Sequence, residues 1–249
     1  MAKTIGIISI KGGVGKTTST VNIGAALAEL GKKVLLVDAD YTSPNLALHF
    51  GVVAPQKTLQ HVFQGKISAQ EAILPYQENL DILPCSTITS SVHPGLLKEK
   101  IQTLKKFYDY ILVDAAPTLN DVMLATILAS DQLLVITSPD YPTLNATLHA
   151  VKVAQKQKTP ILGLIVNKIR GRSFELTRKE IEDAAGVKVI WAILDDVNVP
   201  ASVAQTKPTV HFKPRANASA AYRGIAEQLV GIKKRASLAA SIKSWLKLK

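Results

Sequence analysis

Within ten residues, Ser9 to Thr18 (SIKGGVGKTT), the chain gathers three glycines, two lysines and two threonines. Gly12, Gly13 and Gly15 let a backbone turn its N–H groups inward around an anion without interference from a Cβ. Lys16 stands where an ammonium neutralises the outer phosphates of a nucleotide. Thr17 follows it with a hydroxyl suited to Mg²⁺. With Val14 and Thr18 completing the loop, residues 11–18 are the expected phosphate contacts. Two features depart from the general pattern G-x-x-x-x-G-K-S/T. Ile10 occupies the place of the first glycine, so the chain must enter the loop through a conformation that tolerates a β-branched side chain. Lys11 is additional; by itself it reads as a solvated lysine beside an anionic ligand.

Carboxylates recur at the ends of two apolar runs. KVLLVDADYTSPNLALHFG carries Asp38 and Asp40, whose i, i+2 spacing puts both on one face if the strand continues, where both could address one Mg²⁺–water system. YDYILVDAAPTLND ends its run at Asp114, a position from which an aspartate contacts Mg²⁺ through water. LIVNKIRG places Asn167 and Lys168 at the end of a third run, with Arg170 where a guanine-reading carboxylate would stand. A guanidinium accepts no hydrogen bond, so the base pocket is expected to take adenine.

These residues need a scaffold, and the chain supplies one. TIGIISI, KVLLVDAD, NLDILP, YDYILVDA, DQLLVITS, PILGLIVNK and VKVIWAIL are apolar without polar alternation, as strands buried on both faces are. Helix-like segments lie between them, among them KTTSTVNIGAALAELG with Gly31 as its C-cap. Strand and helix alternate throughout, which predicts an α/β fold with a mainly parallel sheet and helices on both faces. Ligands of such sheets sit at the carboxyl ends of the strands, where all the motifs above fall.

Composition narrows the classes further. The chain has 249 residues, 47% of them hydrophobic, and no linker-like tract or fixed repeat. Cys85 is the single cysteine, which excludes a disulfide framework or multi-cysteine metal site within one chain; a small buried thiol is its expected role. The five histidines have no ligand-like spacing. MAKTIGIISI is not read as a signal peptide and no run is long enough to span a bilayer, so a soluble intracellular protein is expected. Net charge is +11, which favours an anionic partner.

KGGVGKTT is similar to the deviant Walker A loop of the MinD/ParA family of ATPases, and the resemblance runs in order from about residue 3 to 231. It implies a P-loop NTPase domain over 1–232, with ATP and Mg²⁺ bound, and a homodimer formed on ATP binding. Lys11 would reach across that dimer to phosphates held by the other subunit, acting like an arginine finger beside Lys16 and Asp40 in catalysis. Thr17, Asp38 and Asp114 would serve the metal and its water shell, Asp40 would position the attacking water, and Asn167 would contact the base. Pro117 fits the family's second switch, whereas Thr118 stands where a glycine or serine is usual. DDVNVPASV only loosely resembles the family's Pro-acidic-x-Pro loop at the base. DADYTSPNL, ending in Asn45 and Leu46, is closer to the MinD branch than to the Asp-Pro-Gln form of ParA. Iron–sulfur carriers and nitrogenase-type reductases need paired cysteines, which one cysteine does not provide.

The tail, 233–249, has a composition of its own. Leu238, Ile242, Trp245 and Leu246 stand at i, i+4, i+7 and i+8, one stripe of a helix, and Lys243 and Lys247 face the other side. No acidic residue follows Glu227, while Lys233, Lys234, Arg235, Lys243, Lys247 and Lys249 hold more than half of the excess charge. This is the composition of an interfacial anchor on an anionic membrane, and proteins of the MinD branch end in such a helix. A docked terminal helix, a disordered basic tail and a DNA-contacting patch are the alternatives. The leading expectation is therefore a cytoplasmic ATPase, peripheral on the inner face of the membrane, that dimerises with ATP and positions a cargo or answers to an activating protein, with slow hydrolysis as its timer. A ParA-like partitioning ATPase that uses nonspecific DNA binding is the alternative, and a nucleotide-binding adaptor without turnover is a third.

Overall fold

The computed structural model describes residues 1–88 and 92–232; the tail with Leu238, Ile242, Trp245 and Leu246 lies outside the described residues. The strands are β1 (Lys3–Ile8), β2 (Val34–Ala39), β3 (Leu74–Gln77), β4 (Leu80–Leu83), β5 (Tyr110–Ala115), β6 (Gln132–Thr137), β7 (Ile161–Ile169) and β8 (Val189–Leu194). They form one eight-stranded sheet in the order β3-β4-β2-β5-β1-β6-β7-β8. Each pair is parallel except β3 with β4. The helices are α1 (Lys16–Glu29), α2 (Leu59–Phe63), α3 (Gly95–Leu104), α4 (Asp121–Ala129), α5 (Tyr141–Lys156), α6 (Arg178–Ala185), α7 (Asn198–Ala204), α8 (Thr209–Phe212) and α9 (Asn217–Leu229).

Each of the seven apolar runs is a strand, and the reason they lack polar alternation is visible in the packing. Val34 and Leu36 of β2 join a core with α1 and α9, while Leu35 and Val37 join a second core with α3 and α4 on the opposite face. Leu134 and Ile136 of β6 likewise face the first core, and Leu133 and Val135 face a third, built with α5 and α6. Both faces are buried, so both parities are apolar. β3 is the strand the sequence conceals. It is a four-residue edge strand, it contains Pro75, and it returns antiparallel to β4 through Asn79 at φ 63°.

Close approach of the layers depends on two helical glycines. A Cβ on Gly24 of α1 would collide with the Leu36 side chain, and one on Gly224 of α9 with the indole of Trp191, which is 3% exposed. α1 ends in a Schellman turn: Gly31, at φ 72°, donates to Ala28 O, and Lys32 donates to Leu27 O. That stop sends the chain directly into β2, whose carboxyl end carries Asp38.

Candidate functional site

β1 leads through Ser9–Gly15 into α1 at the centre of the sheet, and the adjoining strand ends surround a cleft of about 490 Å³. Ile10 enters the loop without a positive φ and packs its side chain against the core beneath, so the missing glycine leaves no strain. Gly13 and Gly15 take φ 77° and 98°, values that favour glycine. A Cβ on Gly12 or Gly13 would meet no protein atom within 4 Å, since the space beside them is the cleft. Val14 buries its side chain in the core and can offer a ligand only its backbone.

Lys16, Thr17 and Thr18 line the cleft floor. Lys16 is 7% exposed and among the described residues makes no ion pair within 4 Å; burial lowers its pKa, against the pull of Asp114 and Asp40. Thr17 Oγ1 donates to Asp114 Oδ2 at 2.6 Å and Thr20 Oγ1 to Asp114 Oδ1 at 3.1 Å. Burial pushes the Asp114 carboxyl up to about 6, although Thr17 and Lys16 oppose the shift.

The two switch carboxylates do not share one face, because β2 ends at Ala39, before Asp40. Asp38 stays in the strand beside Asp114, its register partner in β5, and spends both oxygens on backbone: Oδ1 accepts from Asp40 N, Oδ2 from Asn45 N and Leu46 N, each at 3.0–3.1 Å. Burial, reinforced by the Asp114 charge, pushes it up to about 8. Asp40 turns into the cleft wall, its Oδ1 accepting from Thr42 N, Thr42 Oγ1 and Ser43 N. The same-face geometry expected from the spacing is therefore replaced by a division: Asp38 folds the loop, and Asp40 faces the ligand space. Among the described residues no three His, Cys, Asp or Glu side chains cluster as a self-sufficient metal site. Thr17 and Asp40 line the cleft and fit a Mg²⁺ that arrives with phosphates and waters as its other ligands, with Asp114 behind them, accepting from the Thr17 hydroxyl.

Lys11 points away from its own loop. Its Nζ lies 3.3 Å from Asp140 Oδ1 and 2.9 Å from Thr143 Oγ1, at the start of α5. Asp140 is the N-cap of that helix, accepting from Thr143 N at 2.9 Å, and Ser138 Oγ donates to its other oxygen at 2.6 Å. Burial works against ionisation there, yet the hydrogen bonds from Ser138, Thr143 and Lys11 hold the carboxyl below the usual range.

From the end of β7, Asn167 Nδ2 donates to Val14 O at 2.8 Å and Lys168 Nζ to Gly13 O at 2.7 Å. Both residues line the cleft. Arg170 Nε donates to Asp195 Oδ2 at 2.7 Å and so occupies the carboxylate nearest to it. Asp195, Asp196, Val199 and Pro200 form the wall that the loop DDVNVPASV had suggested. Pro117 reaches the cleft lining; Thr118 does not, and its carbonyl accepts from Asn120 N instead. Sequence reasoning missed His49, which comes from the 3₁₀ turn Ala47–Phe50, and Val203 of α7. Neither has a local signal, since only the packing of that turn against the α7–α8 region brings them together. Cys85 is 5% exposed, with burial raising its thiol pKa, and takes no part in the cleft.

Residues 2–164 match the AAA domain family. An uncharacterized ATP-binding protein of Methanocaldococcus jannaschii is 31% identical, over 99% of this chain and 94% of the relative. The chromosome-partitioning ATPase Soj of Thermus thermophilus is 29% identical, over 92% and 95%. In solved structures, the septum site-determining protein MinD of Pyrococcus horikoshii, complexed with Mg-ADP, superimposes with a TM-score of 0.87 at 33% identity, covering 94% of this chain and all of that one.

Proposed function

The chain belongs to the MinD/ParA family of P-loop ATPases, and from that premise we propose that it binds ATP with Mg²⁺, dimerises across its nucleotide face and cycles on and off an anionic membrane. The observation that carries the proposal is the direction of Lys11. Its ammonium is held at Asp140 and Thr143, outside its own loop, so it does not duplicate Lys16 there, and it would leave Asp140 to reach a second subunit.

In this reading the loop N–H groups and Lys16 cradle the β- and γ-phosphates. Thr17, Asp40 and Asp114 serve Mg²⁺, whose contribution is to neutralise charge on the phosphate oxygens; Asp38 supports that shell by fixing the loop from Asp40 to Leu46. Asp40 orients the attacking water, and the partner's Lys11 stabilises charge as the terminal phosphate departs. Adenine lies between Asn167 and the Asp195–Pro200 wall. Domain 1–232 is the motor, and 233–249 is the anchor, with Leu238, Ile242, Trp245 and Leu246 as its apolar stripe. One such tail binds a membrane marginally, but two on a dimer add avidity of about 10²–10⁴-fold. Dimerisation thereby becomes attachment, hydrolysis becomes release, and the cycle serves to position a cargo or answer an activator.

A second reading, a ParA-like ATPase on DNA, is favoured by the likeness to Soj and by Lys213 and Arg215, exposed around a shallow hollow at the start of α9. Co-sedimentation with anionic vesicles in ATP and in ADP, for the full chain and for 1–232, separates the two. ATP-dependent pelleting that is lost with the tail supports the membrane cycle. Absence of pelleting, with salt-sensitive DNA binding that survives the deletion, replaces it by the second reading.

A further inference from the structure

Lys168 is the one lysine of the cleft whose backbone conformation is unfavourable. It sits inside β7 at φ 59°, in the left-handed region where a Cβ crowds the following carbonyl. The strand is irregular there. Val166 pairs with Ala192 and Ile169 with Leu194, so three steps along β7 match two along β8, which is a one-residue bulge. In a regular strand the side chains of Asn167 and Lys168 would leave on opposite faces. The bulge turns both onto the same loop, and each meets a successive carbonyl: Asn167 Nδ2 on Val14 O at 2.8 Å, Lys168 Nζ on Gly13 O at 2.7 Å. Glycine would satisfy the left-handed conformation without crowding, yet the chain carries a long cationic side chain there.

A phosphate loop works when its N–H groups point at the ligand, which requires its carbonyls to point away and find partners elsewhere. We propose that Lys168 is a positioning residue for the nucleotide: through the Gly13 carbonyl, and together with Asn167, it holds residues 12–15 in the phosphate-ready conformation before the nucleotide arrives. The strained bulge at the end of β7 is the device that delivers both side chains. This inference rests on the nucleotide reading given above.

The test is calorimetric titration of the full chain with Mg-ADP, beside thermal melting without nucleotide, for wild type and Lys168→Met, Lys168→Arg and Lys168→Gly. The Nζ contact is exposed to competing water, so loss of the donor in Lys168→Met weakens Mg-ADP by roughly threefold to tenfold with an unchanged melting temperature. Lys168→Arg, which keeps a charged donor, recovers most of that loss. Lys168→Gly relieves the left-handed strain and lacks the donor, so its melting temperature rises while its Mg-ADP affinity falls. Opposite signs in one variant are what a purely structural lysine does not produce. Wild-type affinity in Lys168→Met, or losses of affinity that follow the melting temperature across the three variants, overturns the proposal. A wild-type chain that does not bind Mg-ADP overturns the nucleotide reading itself, and this inference with it.

Discussion

Replacing Asp140 by Asn tests whether Lys11 is held back from a second subunit. The substitution keeps the N-cap of α5, because Asn caps as well as Asp and can still accept from Thr143 N. It removes the charge that Lys11 meets at 3.3 Å. The two side chains are 42% and 43% exposed, so the pair is worth only about 0.2–1 kcal/mol after solvent screening. If release of Lys11 precedes its use across the dimer, that energy is a tax on the competent state, raising its population by about 1.4- to 5-fold when removed. A symmetric dimer needs two lysines, one from each protomer, so the factor is squared, and the dimer dissociation constant falls by about 2- to 30-fold. Thr143 Oγ1 still accepts from Lys11 in the variant, which favours the lower part of that range. Sedimentation equilibrium in the presence of a non-hydrolysable ATP analogue measures the constant directly. A folded Asp140→Asn chain that dimerises no more tightly than wild type refutes the idea that Asp140 restrains Lys11.

Asp40→Asn keeps an acceptor for Thr42 and Ser43 while discarding the charge; a phosphate-release assay should show turnover reduced by at least ~10-fold, consistent with loss of a water-orienting base, with nucleotide still bound. Gly224→Ala places a methyl against the Trp191 indole in a closed layer, an overpacking worth about 1–3 kcal/mol. For a chain of this size that is a drop of about 2–12 °C in melting temperature, and no drop would mean that α9 can slide. His211, 3.5 Å from Glu29, has its pKa lowered by burial and by Arg223 although Glu29 pulls it up. The unfolded chain then takes up a proton near pH 6.5 that the folded chain refuses until lower pH, so stability falls on acidification through that window. His211→Gln should flatten this part of a denaturation-midpoint profile.

The legible parts of the fold were those in which local pattern and global packing agree. Runs such as LLVDA and YILVDA are apolar at both parities because both faces of the sheet are covered, and the phosphate loop announces itself because strand, glycines, Lys-Thr and helix follow in order. β3 was not legible, since Pro75 and a polar edge contradict strand propensity and only the hairpin with β4 makes it a strand. The split between Asp38 and Asp40 was hidden for a related reason: their spacing is meaningful only if β2 continues, and it stops at Ala39. His49 joined the cleft through long-range packing, and the bulge at Asn167–Lys168 had no glycine to mark it.

The burial of Trp191 has an optical consequence. The chain holds two tryptophans, Trp191 and Trp245, and the first is sealed between β8 and α9, 3% exposed and away from solvent quenchers. Its emission is therefore blue-shifted and indifferent to added vesicles, acrylamide or bromolipid. Whatever spectral change those additions produce in the tryptophan emission of the unlabelled chain is then assigned to Trp245 in the tail, so the protein carries its own reporter for testing the proposed attachment, with an internal standard in the same spectrum.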